Sequence, residues 1–198
     1  MYGVETGAAD AAGPTANQVA SVTPVKGASP TISAPLDIKG VLFYGTAASG
    51  GGKLWETGGT GPKLLKTIKG KTAAPTELTN VGGRLYFEAD GELWKSNGTA
   101  AGTVAVDTHV DPTAMANANG TLFFETPTAL WKTRGAQATT RKLKTIKLGA
   151  KSEIVAMNGS VYFTDPKSGF NYDAPDLWTS DGTPAGTKTV LQTHIDPV

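Results

Sequence analysis

Residues 93–103 read LWKSNGTAAGT and residues 177–187 read LWTSDGTPAGT. Weaker copies, LWETGGT at 54–60 and LWKTRGA at 130–136, complete a set in which every Trp of the chain follows a Leu. The four pairs are Leu54-Trp55, Leu93-Trp94, Leu130-Trp131 and Leu177-Trp178, with Trp spacings of 39, 37 and 47 residues. Four aromatic runs precede them, VLFY, RLYF, TLFF and SVYF, aligned on Phe43, Phe87, Phe124 and Phe163. A period near 40 residues marks a repeat array. The runs are short, β-branched or aromatic, and bounded by Gly or Asn, so each repeat reads as several short strands.

The second repeat divides into four strands: PTELTNV, RLYFEAD, LWKS and TVAVDTHV. Four antiparallel strands per repeat is the pattern of a propeller blade. Asn97-Gly98 and Asp181-Gly182 read as hairpin reversals in which both residues take positive φ. Leu and Trp are adjacent, so a strand sends them to opposite faces, where each serves a different inter-blade layer. The Ser or Thr two residues after each Trp is the expected partner of its indole N–H. The fold expected is therefore all-β, a four-bladed β-propeller over 30–198, preceded by an extended arm or linker over 1–29. PTISAPLDIKG (30–40) resembles the strand PTAMANANG that follows THVDP, whereas the last repeat stops at THIDPV. This predicts that the N-terminal strand completes the last blade and closes the ring.

LW-x-SDGT-x-AGT resembles the ELWxSDGTxxGT repeats of large bacterial surface and secreted proteins. The match covers residues 30–198 and is strongest at 93–103 and 177–187. The resemblance implies a propeller fold and a surface setting, and it brings no catalytic residues. The chain departs from the pattern in being short.

Composition excludes several classes. With no Cys among 198 residues, disulfides, thiolate metal sites and a Cys nucleophile are absent. A net charge of +1 gives no general case for nucleic acid. No apolar run approaches the roughly 20 residues of a membrane span, so no membrane insertion is expected. The N-terminus, MYGVETGAADAAGP, has neither a basic nor an apolar segment of a Sec signal peptide. No GxSxG, HExxH or P-loop motif is present. No cofactor is implied, and the chain reads as a non-enzyme.

Candidate sites are few. His109 and His194 occupy equivalent repeat positions beside Asp111 and Asp196, which raises a weak metal candidate against a repeated strand-end hydrogen bond. Glu88, Asp90 and Glu92 cluster at one hairpin, where a solvated charged turn is the simpler reading than a glycosidase pair. The KTIK strands put Lys66, Lys69, Lys144 and Lys147 on exposed outer strands, where they discourage edge pairing or meet an acidic surface. The long connections Thr46–Lys53 and Asp165–Asp176 suit recognition, with Phe170, Asn171, Tyr172 and Asp173 as contact residues. Four Trp could line a sugar-stacking ring, but their setting favours packing.

The function expected is a structural or attachment module on a virion, appendage or cell surface. Residues 1–29 would bind protein subunits of the larger assembly, and a glycan or acidic surface would be a further partner. The alternative is a carbohydrate-binding module of a larger exported protein.

Overall fold

In the computed structural model, which describes residues 32–58, 61–70, 73–148, 152–165 and 176–191, each aromatic run is the second strand of its own antiparallel sheet. The first sheet holds β1 (Leu36–Ile38), β2 (Val41–Thr46), β3 (Gly52–Thr57) and β4 (Lys63–Ile68). The second holds β5 (Thr76–Val81), β6 (Arg84–Ala89), β7 (Glu92–Ser96) and β8 (Val104–Asp107). The third holds β9 (Ala114–Ala118), β10 (Thr121–Thr126), β11 (Ala129–Thr133) and β12 (Arg141–Thr145). The fourth holds β13 (Ile154–Met157), β14 (Ser160–Asp165), β15 (Asp176–Ser180) and β16 (Lys188–Leu191). Strand order follows chain order in every sheet, which is the meander of a propeller blade. The first strands β1, β5, β9 and β13 adjoin in that succession.

The N-terminal strand does not complete the last sheet. Leu36–Ile38 pairs with Val41–Phe43 and opens the first sheet, while the fourth sheet draws all four strands from its own repeat. The strand after THVDP behaves likewise: it pairs forward with β10. The cause is local. Two-residue turns, Asn119-Gly120 and its counterpart Lys39-Gly40, have both residues at positive φ and lock each first strand onto the aromatic strand behind it. Asn97 and Asp181, expected to share that geometry, do not; only Gly98 and Gly182 are left-handed there.

Leu and Trp do take opposite faces. Leu93 packs toward the third sheet with Tyr86, Val106 and Phe124, while Trp94 packs toward the first with Leu54 and Phe87. Leu130 and Trp131 repeat this one sheet further on. Each sheet thus has a leading face, carrying Trp, which in sheets two to four meets the sheet before it. Its trailing face, carrying Leu, meets the sheet after in sheets one to three. The pairing of Tyr44 with Trp55 makes Tyr44, not Phe43, the equivalent of Phe87, Phe124 and Phe163. Phe87, Phe124 and Phe163 stack on their paired Trp at 6.1, 6.1 and 6.2 Å between ring centroids. These rings are packing elements, as their setting in the sequence suggests.

Trailing-face aromatics lock onto the next sheet's turn. A Cβ on Gly98 would lie 3.8 Å from the Phe43 ring, and one on Gly182 would lie 3.1 Å from the Phe123 ring. At Gly135 it would overlap the Tyr86 hydroxyl. Lys95 Nζ donates to the Gly135 carbonyl at 2.5 Å and Lys132 Nζ to that of Gly182 at 2.6 Å. The sheets are therefore joined by an apolar layer and by one lysine clamp at two of the junctions.

Candidate functional site

The repeated phrase is itself a closed hydrogen-bond circuit. Asn97 Oδ1 accepts from the backbone N–H and the hydroxyl of Thr99, at 3.1 and 2.8 Å. Thr99 Oγ1 accepts from Gly102 N–H, and Thr103 donates its hydroxyl to the Thr99 carbonyl. With that proton used, Ser96 must donate to Thr103 Oγ1 at 2.8 Å, leaving its own oxygen for Gly98 N–H. Residues 180–187 repeat the circuit bond for bond with Asp181 in the place of Asn97. The third copy keeps part of it through Thr133, Thr139 and Thr140 around a single 3₁₀ turn at Gln137–Thr139. Gly102 and Gly186 are fixed because a Cβ would enter the Asn97 or Asp181 side chain. The hydrogen bonds from Thr183, side chain first and backbone second, hold the Asp181 carboxyl below its ordinary range. The motif is a turn closure, and its polar atoms are committed to it.

This overturns the expected partner of the indoles. Ser96, Thr133 and Ser180 serve the turns, and the Nε1 atoms of Trp94, Trp131 and Trp178 are buried with no partner. Trp55 donates to Thr46 Oγ1 at 2.9 Å, which lies before it in the chain.

Other candidates fall as follows. His109 does not pair with Asp111; its backbone N–H and ring face Asp107, at 3.0 and 3.6 Å, on an exposed strand end. His194 and Asp196 lie outside the described residues, and among the described residues no cluster of three metal-ligating side chains occurs. Glu88 is tied to Thr76 Oγ1 and to Gly91 N–H at 2.7 and 2.8 Å, so it braces a bulge in β5 and the next turn. Asp90 sits in that turn at positive φ. Lys69, Lys144 and Lys147 are exposed, whereas Lys66 is half-buried with Nζ 5.6 Å above the Trp94 ring. Phe170, Asn171, Tyr172 and Asp173, like residues 1–29, lie outside the described residues. The other long connection turns inward: Ala47 and Ala48 are buried, and Gly52 abuts the Ala73 carbonyl.

What sequence reasoning missed is an acidic groove along the first strands. A groove of about 600 Å³ is lined by Glu77, Thr113, Met115, Ser152 and Glu153 among others, and one of about 420 Å³ shares Glu77 and Met115 with it. Behind the first lies Glu125, fully buried. Its Oε2 accepts from the Ser152 hydroxyl and its Oε1 has no partner. The Thr113 hydroxyl is also buried without one. Burial raises the Glu125 pKa to about 7; the Ser152 hydrogen bond opposes the rise and the charge of Glu77 adds to it. Glu77 is itself raised, by burial first and by Glu88 second, against a hydrogen bond from the Met115 backbone. It sits at the β5 bulge with φ of 54°, a conformation most side chains avoid. The signal in the sequence was an acid at the same repeat position twice, Glu88 and Glu125, where the other repeats have Gly45 and Thr164. Glu77 and Glu153, which line the groove itself, can accept hydrogen bonds from a polar ligand there.

No family model matches the chain, and no curated protein matches it either. Among solved structures it is similar to a chain in the crystal structure of a nidogen/laminin complex, at 20% identity and a TM-score of 0.49. That likeness covers 77% of this chain and 61% of the other, so this chain spans under two thirds of that one. It is also similar to an alpha-L-arabinofuranosidase from Clostridium thermocellum, at 11% identity and a TM-score of 0.41, over 83% of this chain and 73% of the enzyme.

Proposed function

We propose that the chain is a non-enzymatic structural or attachment module, working by contact on the outside of an assembly such as a virion, appendage or cell surface. The observation that carries this reading is the last sheet. Val155 and Met157 on β13 and Val190 and Leu191 on β16 leave exposed apolar side chains on both edge strands of that sheet, and exposed apolar surface marks interaction sites. The polar atoms of the recurring phrase support it too, because they are spent on turns. In this reading residues 1–29 anchor the module to protein subunits, and the exposed Lys69, Lys144 and Lys147 offer contact to an acidic surface. The test is a tag on Val198 probed on intact particles or cells of the source. Surface labelling that is lost when residues 1–29 are deleted is expected. Label found only in the soluble lysate would end the proposal.

A second reading, a carbohydrate-binding module, is favoured by the groove that Glu77, Thr113, Ser152 and Glu153 line. A glycan array separates the two. Binding that Glu77→Ala abolishes supports the second reading, and an empty array removes it.

A further inference from the structure

Three junctions in this molecule obey one rule: a trailing face meets the leading face of the next sheet. The apolar clusters follow it, joining sheets one and two, two and three, and three and four. Among the described residues no apolar cluster joins sheet four to sheet one. One trailing face and one leading face are therefore left without a covering sheet among the described residues.

Repeat-equivalent positions make the contrast quantitative. Ile38, Val81 and Ala118 are buried on trailing faces, but their counterpart Met157 is 54% exposed. Leu65, Val106 and Leu143 are buried; Val190 is 54% exposed. Ala116 is buried; Val155 is 65% exposed. Leu54, Leu93 and Leu130 are fully buried, and Phe43, Tyr86 and Phe123 are buried, whereas Leu177 and Tyr162 are half-buried. Every layer of the trailing face shows the same change at the fourth sheet. On the leading side, Leu85, Leu122 and Val161 are buried but Leu42 is half-buried, and Leu64 beside Trp55 is exposed. Tyr44 on that side is buried and Trp55 is half-buried like Trp94, Trp131 and Trp178, so the leading-side contrast rests on Leu42 and Leu64.

We propose that these two faces bind each other between molecules: the trailing face of sheet four in one copy takes the leading face of sheet one in a second copy. The occupant follows from the internal junctions. What covers a trailing face three times within the chain is a leading face built on the same repeat, and a second copy carries an uncovered one. The contact is heterologous, because the two partners use different surfaces. This deepens the contact function proposed above and names its partner as the chain itself. Self-association of the isolated chain tests it apart from surface display, so either can fail alone.

The experiment is sedimentation and light scattering of the full chain from low to high micromolar concentration, with Val155→Asp and Leu64→Asp as separate variants. The wild type is expected to rise above the mass of one chain. Each variant alone is expected to stay at one chain, since every trailing or every leading face is spoiled. An equal mixture of the two is expected to form a pair, through the intact leading face of one and the intact trailing face of the other. Val190→Lys repeats the trailing-face test, and circular dichroism melts establish that each variant is folded. A wild type that remains one chain at all concentrations would overturn the proposal, as a ring closed within one molecule would produce. So would folded variants that associate as the wild type does, or a mixture that stays at one chain.

Discussion

Replacing Glu125 with Gln keeps the shape of the side chain and removes its charge. In the native protein its pKa rises from the ordinary 4.5 to about 7, with burial as the main cause. The folded state therefore binds this proton more tightly than the unfolded chain. Below about 4.5 both states are protonated and the residue adds nothing to the pH dependence. Between about 4.5 and about 7 the unfolded chain releases the proton while the native protein keeps it, so stability falls as pH rises. The fall is complete once the pH passes the native pKa. A carboxyl raised from 4.5 to about 7 corresponds to about 3 kcal/mol, or about 6–12 °C in melting temperature for a domain of this size. Urea unfolding followed by Trp fluorescence at about pH 5 and about pH 8 measures it. Glu125→Gln is expected to be within ~1 kcal/mol of wild type at the lower pH and about 3 kcal/mol more stable at the higher. The remaining acids are common to both proteins, so the difference between the two reports Glu125 together with its coupling to Glu77. A difference that stays constant across that range would refute the buried, partly unpartnered carboxyl.

Further expectations concern the turn circuit. Asp181→Asn should leave the unfolding midpoint nearly unchanged, because Asn97 already performs the same role in its own copy. Asp181→Ala should lower the midpoint by freeing the Thr183 donors; chemical denaturation compares the two. Gly102→Ala should cost more than about 1 kcal/mol, since the added methyl enters the Asn97 side chain, and its unfolding midpoint should fall accordingly.

The repeat and the strands were legible because the Leu-Trp pairs and aromatic runs carry period-two alternation at a fixed spacing. The opposite facing of Leu93 and Trp94 followed from strand geometry alone. The placement of the N-terminal strand was not legible. PTISAPLDIKG resembles the strand after THVDP, but the resemblance does not say whether that strand pairs backward or forward; the short Lys39-Gly40 turn decides it. The turn type at Asn97 and Asp181 was not legible either, because Asn-Gly and Asp-Gly also open longer loops, in which the side chain caps Thr99 or Thr183 while only the Gly turns left-handed. The acidic groove escaped notice because Glu77, Glu125 and Ser152 are distant in sequence and meet only when the first strands of three sheets adjoin. The uncovered trailing face was also hidden, since Leu177 and Tyr162 keep the same residue types as their buried counterparts.

Face-to-face stacking of the sheets, with the last one uncovered, is tested most directly by truncating one Leu position in three repeats. Leu93→Ala, Leu130→Ala and Leu177→Ala are to be unfolded with urea at a concentration low enough to keep single chains. Large-to-small changes in a packed layer cost about 2–5 kcal/mol. The first two, fully buried between sheets, should fall in that range, and Leu177→Ala should cost less than half as much. Equal losses at all three positions would mean that the fourth sheet is as well covered as the others, which contradicts the account.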